Sequence, residues 1–432
     1  MLDTSSLSAG RETFRDSVTN RVSDEIEMKS KTALRSTRAL SLSRTRTHSP
    51  ASRTTPQASR QPIRLLTAVP ICDGHDSAIN TINLEFIRQG IEVIYLGYHR
   101  SAGDIVRAAV QEDVRAIGLS SYNGGHIEFF AEVLNLLKEY GARDVGVFGG
   151  GGGTITPADA RVMEKNGVDR IFFPGTPLTE MLTFVKKTYG ASRRIRLPRA
   201  TWTTTRTDRR LAQLLTAVEL KVQRPTFGFQ RSAKPSRVIG ITGPGGAGKT
   251  TLIDELVLRF LGAAPKARVA ILSHDPSLVG HGALLGDRAT MIYSQNDRVF
   301  MRSVATRGQP GGLSPATEPC LDLLKYCGFD LVLVETVGIG QEALPFGPEL
   351  VDRTILVMSP DYGSRLQLQK IVMLDVADII VLNKSDLAAA KTAAAEIDQR
   401  LALNQRDQKL VCTAAKRHRD PGVDALFEWL QP

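Results

Sequence analysis

The sequence predicts an α/β protein made of two doubly wound domains, and three observations carry that expectation. Short apolar runs alternate with helix-like segments over two separate stretches, the rhythm of βαβ units around a parallel sheet. Glycine-rich runs follow certain of the apolar runs directly, where the backbone of such a sheet meets its ligands. A Pro-, Thr- and Arg-rich interval separates the two stretches and reads as a linker.

Composition bounds the answer. The 432 residues suffice for two or three domains with their own cores, and 42% hydrophobic content is ordinary for a globular chain. No uninterrupted apolar run approaches membrane-spanning length, so no membrane association is expected. The formal charge of +10 is placed unevenly. No acidic residue lies between Glu27 and Asp73, and Arg193, Arg194, Arg196, Arg199, Arg206, Arg209 and Arg210 crowd a second stretch. The excess thus belongs to a tail and a linker, as solvated charge rather than a nucleic-acid surface. Cys72, Cys320, Cys327 and Cys412 form no C-x-x-C pair, which favours a reducing, cytoplasmic setting over a disulfide framework.

Residues 1–61 are rich in Ser, Thr and Arg and cannot bury enough apolar surface to offset chain entropy, so a disordered basic tail is expected. A first domain is expected over 62–188. Its strands are Ile63–Val69, Val93–Leu96, Ala116–Leu119, Val145–Phe148 and Ile171–Phe173. Its helices are Ala78–Arg88, Ala102–Gln111, Ile127–Tyr140, Ala158–Asn166 and Thr176–Thr188. The linker spans 189–235 around one amphipathic piece, Leu211–Val222, which could form a helix that docks. The second domain occupies 236–432, with strands at Val238–Ile241, Val269–Leu272, Leu331–Val334, Thr354–Met358, Ile379–Leu382 and Leu410–Cys412.

The second domain holds the sharpest motif. Gly243-Pro244-Gly245-Gly246-Ala247-Gly248-Lys249-Thr250 stands between an apolar run and a helix-like segment beginning at Thr251, and satisfies G-x-x-x-x-G-K-[ST]. The loop N–H groups would point at phosphate oxygens, Lys249 would neutralise the β/γ-phosphates, and the Thr250 hydroxyl would ligate Mg2+. Asp275, Asp287 and Glu335 sit near the ends of successive βα units, and carboxylates there suit a Mg2+ shared with phosphates. Asn383-Lys384-Ser385-Asp386 follows an apolar strand and reads guanine. The Asp386 carboxylate can accept from N1–H and the exocyclic amine, with Lys384 stacked on the ring. Thr413-Ala414-Ala415 is placed to offer a backbone N–H to guanine O6. The expected nucleotide is GTP. Arg288 or Arg302 could supply a further cation near the transferring phosphate, with Lys249, Asp287, Glu335 and Arg302 as the catalytic set.

Residues 237–432 resemble the GTPase chaperones of adenosylcobalamin-dependent acyl-CoA mutases, the MeaB/ArgK/methylmalonic aciduria type A family. The resemblance rests on Gly243–Thr250, His274-Asp275-Pro276-Ser277, Gly282–Arg288, Phe300-Met301-Arg302-Ser303, Glu335–Gln341 and Asn383–Asp386. It implies slow GTP hydrolysis coupled to cofactor loading and protection, with family Mg2+ and switch carboxylates at Asp275, Asp287 and Glu335. It also implies a mutase-sensing segment at Pro360–Lys370. The stretch Leu278–His281 is about one residue shorter than the family pattern.

In the first domain Asp73-Gly74-His75-Asp76 follows the first strand, Ser120-Ser121-Tyr122 the third, and Gly149 to Gly153 the fourth. Asp73 could accept from one imidazole N–H of His75 and leave the other nitrogen as a metal ligand. The pattern resembles the cobalamin signature D-x-H-x-x-G … S-x-L … G-G of mutases and methyltransferases. It implies His75 as lower cobalt ligand, Ser120 beside the cofactor's tail, and Gly149, Gly150 and Gly151 lining it. Ala78 stands where the signature has Gly, and Tyr122 where it has Leu. A cobalamin domain followed by a MeaB-like G domain resembles the front part of the fused isobutyryl-CoA mutases. Those continue into an acyl-CoA-binding barrel, so the expected partner is a mutase barrel, in trans or in a longer gene product. A homodimer is left open. The rival readings are a metal-insertion GTPase and a non-enzymatic cobalamin sensor or scaffold.

Overall fold

The computed structural model describes residues 62–71, 73–74, 77–191, 208–220, 236–278, 280–338, 345–347, 349–362, 372–404 and 406–431. The expected basic tail, most of the linker, Ile339–Gln341 and most of Pro360–Lys370 lie outside the described residues.

Two parallel sheets organise the rest. The front sheet comprises β1 (Arg64–Ala68), β2 (Glu92–Tyr95), β3 (Ala116–Ser120), β4 (Gly146–Gly150) and β5 (Arg170–Phe172), and every expected front strand and helix is found within two residues of its expected bounds. These strands read as continuous apolar runs because helices cover both faces, and β1 and β3 are buried at every position. Two of the front helices start at side-chain caps. Ser101 and Asp104 form a reciprocal capping box ahead of Ala102–Gln111, and Thr156 with Asp159 does the same ahead of Pro157–Lys165.

The order β5-β4-β3-β1-β2 is completed by β8 (Leu284–Leu285), a strand from the second half of the chain. Val93 pairs with Leu284 and Ile94 with Leu285. Gly282 N donates to Ile87 O at 2.8 Å, and the contact is so close that a Cβ at Gly282 would lie 1.8 Å from Ile91 O. The domains expected as separate at 188 and 236 therefore share a sheet. Two residues of strand carry too little pattern to be read from sequence.

The second sheet runs β13-β12-β11-β6-β10-β7-β9. Its members are β6 (Arg237–Thr242), β7 (Val269–Asp275), β9 (Val299–Ala305), β10 (Leu331–Glu335), β11 (Arg353–Met358), β12 (Ile379–Leu382) and β13 (Lys409–Cys412). Strand β9 is absent from the sequence expectation, because Arg302 and Ser303 interrupt its apolar run; both are buried. The helix Asp208–Glu219, read from the sequence as a piece of the linker that could dock, packs into a core. Leu211, Leu215 and Val218 pack in one cluster with Cys320, Leu321 and Leu324.

A buried ionic cluster joins the two sheets. Arg64 of β1 bonds Glu92 at 3.1 Å and reaches Glu112 at 3.3 Å and Glu219 at 3.4 Å. Arg302 of β9 donates to Glu219 Oε1 at 3.0 Å, to Thr216 Oγ1 at 2.9 Å and to the Glu112 carbonyl at 2.6 Å. Arg288 donates to Glu112 Oε1 at 3.2 Å and to Gln111 Oε1 at 3.2 Å. Burial alone would raise the Glu219 carboxyl, but Arg302, Arg64 and Arg307 hold it below the usual carboxylate range. Truncating one partner of such a group leaves a buried charge uncompensated. Glu219→Ala should therefore destabilise the protein by about 3–5 kcal/mol in denaturant unfolding. Glu180→Ala, which removes the half-exposed pair with Arg170, should cost no more than about 1 kcal/mol. Equal losses would mean that the cluster is no more than surface charge.

Candidate nucleotide and cobalamin sites

Each site lies at a switch point of its sheet, where neighbouring strands lead their helices to opposite faces. In the second sheet that strand is β6, flanked by β10 and β11. It leads through Gly243–Gly248 into the helix Lys249–Ala263. Gly248 takes φ +91°, and a Cβ there would lie 2.3 Å from Asn383 Nδ2. Asn383 Nδ2 donates to the Ala247 carbonyl at 2.9 Å, while its Oδ1 accepts from Thr413 Oγ1 and Ala415 N at 3.0 Å each. One buried amide thus fastens the phosphate loop to both segments expected to read guanine. A cavity of about 210 Å³ opens beside it, lined by Gly248, Thr251, Lys384, Asp386, Ala414 and Lys416 among others. Lys416 Nζ lies 2.5 Å from Asp386 Oδ2 and, by this hydrogen bond, holds the carboxyl below its ordinary range.

Lys249 Nζ donates to the Gly243 carbonyl at 3.1 Å and the Pro244 carbonyl at 3.3 Å, over the mouth of its own loop. Behind it the three expected acids stand near one another. Thr250 Oγ1 donates to Glu335 Oε1 at 2.9 Å, and Ser273 Oγ donates to Asp287 Oδ2. The second oxygens of Asp275 and Glu335 are buried without a hydrogen-bond partner. Burial, then the Asp287 charge, pushes Glu335 up to about 8. Burial followed by Asp287 raises Asp275, burial raises Asp287, and burial lowers Lys249. Three acids against one lysine make a site short of positive charge. No group of three or more His, Cys, Asp or Glu among the described residues is arranged to hold a metal by itself. Those orphaned oxygens fit a cation that takes its remaining ligands from phosphates, as Mg2+ does.

Two residues beside the acids were given no role from the sequence, although His274 lies in a segment that carries the family resemblance. Ser273 holds Asp287, and His274 bonds the Glu335 carbonyl through Nδ1 at 2.7 Å and Thr317 Oγ1 through Nε2 at 2.7 Å. Burial lowers His274 to about 4, so the ring is neutral and acts as a brace. Their signal was present in Ser273-His274-Asp275, where only the carboxylate drew attention. The arginines expected to offer a catalytic cation do not. Arg288 and Arg302 are both buried in the ionic cluster between the sheets, their guanidinium groups engaged by Glu112, Gln111 and Glu219. A side chain so committed cannot swing to a phosphate, and Lys249 is the cation that the described residues place at the loop.

In the front sheet the order reverses between β1 and β3. A cavity of about 390 Å³ lies at that end, lined by Thr67, Ser120, Tyr122, Gly149, Gly150 and Gly151, with Ala78 on its wall. The Thr67 hydroxyl is buried there without a hydrogen-bond partner. The glycines are required by the protein itself: a Cβ at Gly151 would lie 2.0 Å from Ser121 O, and one at Gly152 would meet the Tyr122 ring. A slot with glycine backbone on one side, apolar side chains such as Ile79, Ile82, Phe86 and Met181 on the other, and one unsatisfied hydroxyl fits a flat, largely apolar group such as the ring at the end of a cobalamin's tail. Asp73 is buried and accepts a hydrogen bond from the Tyr122 backbone N–H, which ties two of the cavity's loops together. His75 lies outside the described residues.

Comparison with known proteins agrees with both halves. Residues 63–182 match the family model of the B12 binding domain, and residues 211–431 match that of the methylmalonyl Co-A mutase-associated GTPase MeaB. The fused isobutyryl-CoA mutase of Cupriavidus metallidurans is 40% identical over 386 residues, covering 85% of this chain and 35% of that protein. That of Geobacillus kaustophilus is 37% identical over 395 residues, covering 84% and 36%. The mitochondrial methylmalonic aciduria type A homolog of Mus musculus is 35% identical over 181 residues, covering 41% of this chain and 43% of its own. The chain thus spans about a third of the length of the fused mutases it matches. With half of its residues matched by the MeaB model, this chain belongs to the MeaB family of GTPases and carries a B12-binding domain ahead of its G domain.

Proposed function

We propose that the chain couples GTP hydrolysis to the loading and protection of adenosylcobalamin for an acyl-CoA mutase of the isobutyryl-CoA or methylmalonyl-CoA type. The isomerising barrel would come from other residues, in trans or in a longer gene product. The observation that supports this most is the path of one segment. Strand β8 completes the front sheet, and two residues after Leu285 the chain reaches Asp287 among the nucleotide-site acids.

On nucleotide binding, Lys249 exchanges the carbonyls of Gly243 and Pro244 for β/γ-phosphate oxygens, and the Thr250 hydroxyl, now bonded to Glu335, would be one of the groups that hold Mg2+. Asp275, Asp287 and Glu335 would hold that ion directly or through water; when bound it neutralises phosphate charge and fixes the phosphates in place. Water attacks the γ-phosphate in line, and Lys249 with the loop N–H groups stabilises the charge that develops. Asp386 accepts guanine's N1–H and amine once Lys416 releases it. At the front sheet, His75 would ligate the cobalt, and the cavity beside Thr67, Ser120 and Gly149 to Gly151 would take the cofactor's tail. Cobalamin there supplies the radical chemistry that the barrel directs.

Lys249→Ala should lower the hydrolysis rate by about 10²–10³-fold or more, as loss of a charge-stabilising group does; an unchanged rate in a phosphate-release assay would remove Lys249 from the reaction. A visible-spectrum titration with adenosylcobalamin should give a base-off, His-on spectrum in the wild type and not in His75→Ala. No spectral change in either would strip the front domain of its cofactor role.

The acid cluster makes a third expectation. Glu335 is raised from 4.5 to about 8, so between those values the folded protein keeps a proton that the unfolded chain has released. Stability of the nucleotide-free protein should therefore fall as pH rises from 4.5 to about 8. Glu335→Gln should flatten that slope and raise the melting temperature at pH 8, while weakening Mg2+-dependent nucleotide binding. A pH profile identical to wild type would contradict it.

A further inference from the structure

The turn carrying Asp287 is held to the front domain at a second point, at the ligand end of the front sheet. Arg100 lies in the loop that follows β2. Its Nε donates to the Leu96 carbonyl at 2.7 Å within that loop, and its Nη2 donates to the Ala289 carbonyl at 2.6 Å. Ala289 ends the short turn Asp287–Ala289. Loop and turn lie side by side: a methyl placed on Gly97 would rest in ordinary van der Waals contact with Ala289 Cβ at 3.8 Å and Arg100 Nη2 at 3.9 Å.

The same loop is stitched on its other side to the loop expected to hold the cofactor. Val69 N donates to the Gly97 carbonyl at 3.0 Å, and Arg100 N donates to the Val69 carbonyl at 3.1 Å. His99 Nδ1 bonds the Ile71 carbonyl at 2.8 Å, and Asp73 N donates to the Pro70 carbonyl at 3.0 Å. Hydrogen bonds and the short pieces of backbone between them thus lead from the Asp287 turn through Arg100 to Asp73, two residues before His75. Among the described residues the Arg100 side chain hydrogen-bonds to carbonyl oxygens, so its position follows backbone on both sides rather than one anchored carboxylate. A displacement of the turn displaces the guanidinium, and with it the loop.

We propose that Arg100 is a positioning residue that makes the placement of the Asp287 turn and of the cobalamin loop mutually dependent. Guanine nucleotide with Mg2+ and cobalamin then alter each other's affinity through it. The inference rests on the reading of both sites given above. Coupling of this kind is reciprocal: the factor by which one ligand changes the other's affinity is the same in both directions.

The test uses the full chain. Adenosylcobalamin is titrated by absorbance with and without the βγ-imido analogue of GTP plus Mg2+, and the analogue is titrated by calorimetry with and without adenosylcobalamin. Wild type should give one factor from both directions, of about 5–150-fold. Arg100→Met should bring it to within about twofold of unity while each ligand alone binds as before, and Arg100→Lys should retain part of it. Hydrogen exchange on the wild type is independent of any variant's folding: adding the analogue with Mg2+ should change amide exchange at Ile71–Gly74. A wild-type factor of one overturns the proposal, as does an unchanged factor in a natively melting Arg100→Met or unchanged exchange at Ile71–Gly74. If neither ligand binds wild type, the functional reading itself falls, which differs from binding of both without coupling.

Discussion

Glu112 and Glu219, two carboxylates buried between the sheets, hold this molecule in one piece. Glu112 accepts from Arg288, from Arg64 and from the backbone and hydroxyl of Ser303; Glu219 accepts from Arg302 and Arg64. Their partners come from β1 of the front sheet, from β9 of the second sheet, and from the residue next to Asp287. Removing so many charges from water is expensive, and the cluster persists because its guanidinium and carboxylate groups are hydrogen-bonded throughout, partly to one another and partly to neutral side chains and backbone. Apolar packing of the same volume would tolerate sliding. A set of bidentate groups that must meet within hydrogen-bond distance does not, and so it fixes the register of one domain on the other.

That constraint explains what the sequence could and could not tell. The strands that lie between covering helices, such as Val238–Ile241 and Ile379–Leu382, were legible because burial on both faces leaves an uninterrupted apolar run. The phosphate loop was legible because its chemistry is local: one segment supplies glycines, lysine and threonine at fixed spacing. Strand β9 was not, since its Arg302 is compensated by a glutamate 83 residues away, and no local pattern records a distant partner. The same blindness suggested Arg302 as a catalytic cation. A lone arginine beside a motif looks available until its counter-charge is located. The helix Asp208–Glu219 was visible as amphipathic, but its place in a core depends on surfaces far along the chain.

The nucleotide site follows a different logic from the junction. Where the junction balances its charges, the site leaves Asp275, Asp287 and Glu335 facing a single lysine, with oxygens that have no partner. Such an imbalance lowers the stability of the empty protein and is relieved by a bound cation, so folding energy is exchanged for affinity. The brace of Ser273 and His274 keeps the acids from relaxing away from one another. The front cavity, by contrast, is shaped by backbone proximity, with glycines set where the protein's own carbonyls and rings leave no room for a side chain.

Strand β8 also bears on how the chain is made. The front domain leaves the ribosome first, yet its edge strand is Leu284–Leu285, far beyond its partner Val93–Ile94. At ~5–20 residues per second the nascent sheet waits about ten to forty seconds for that strand. Throughout that interval the edge of β2 is an open row of N–H and C=O groups, a surface on which another nascent chain could add a strand. Codon usage or chaperone occupancy over residues 190–284 would therefore govern the yield of soluble product more strongly than the same changes elsewhere.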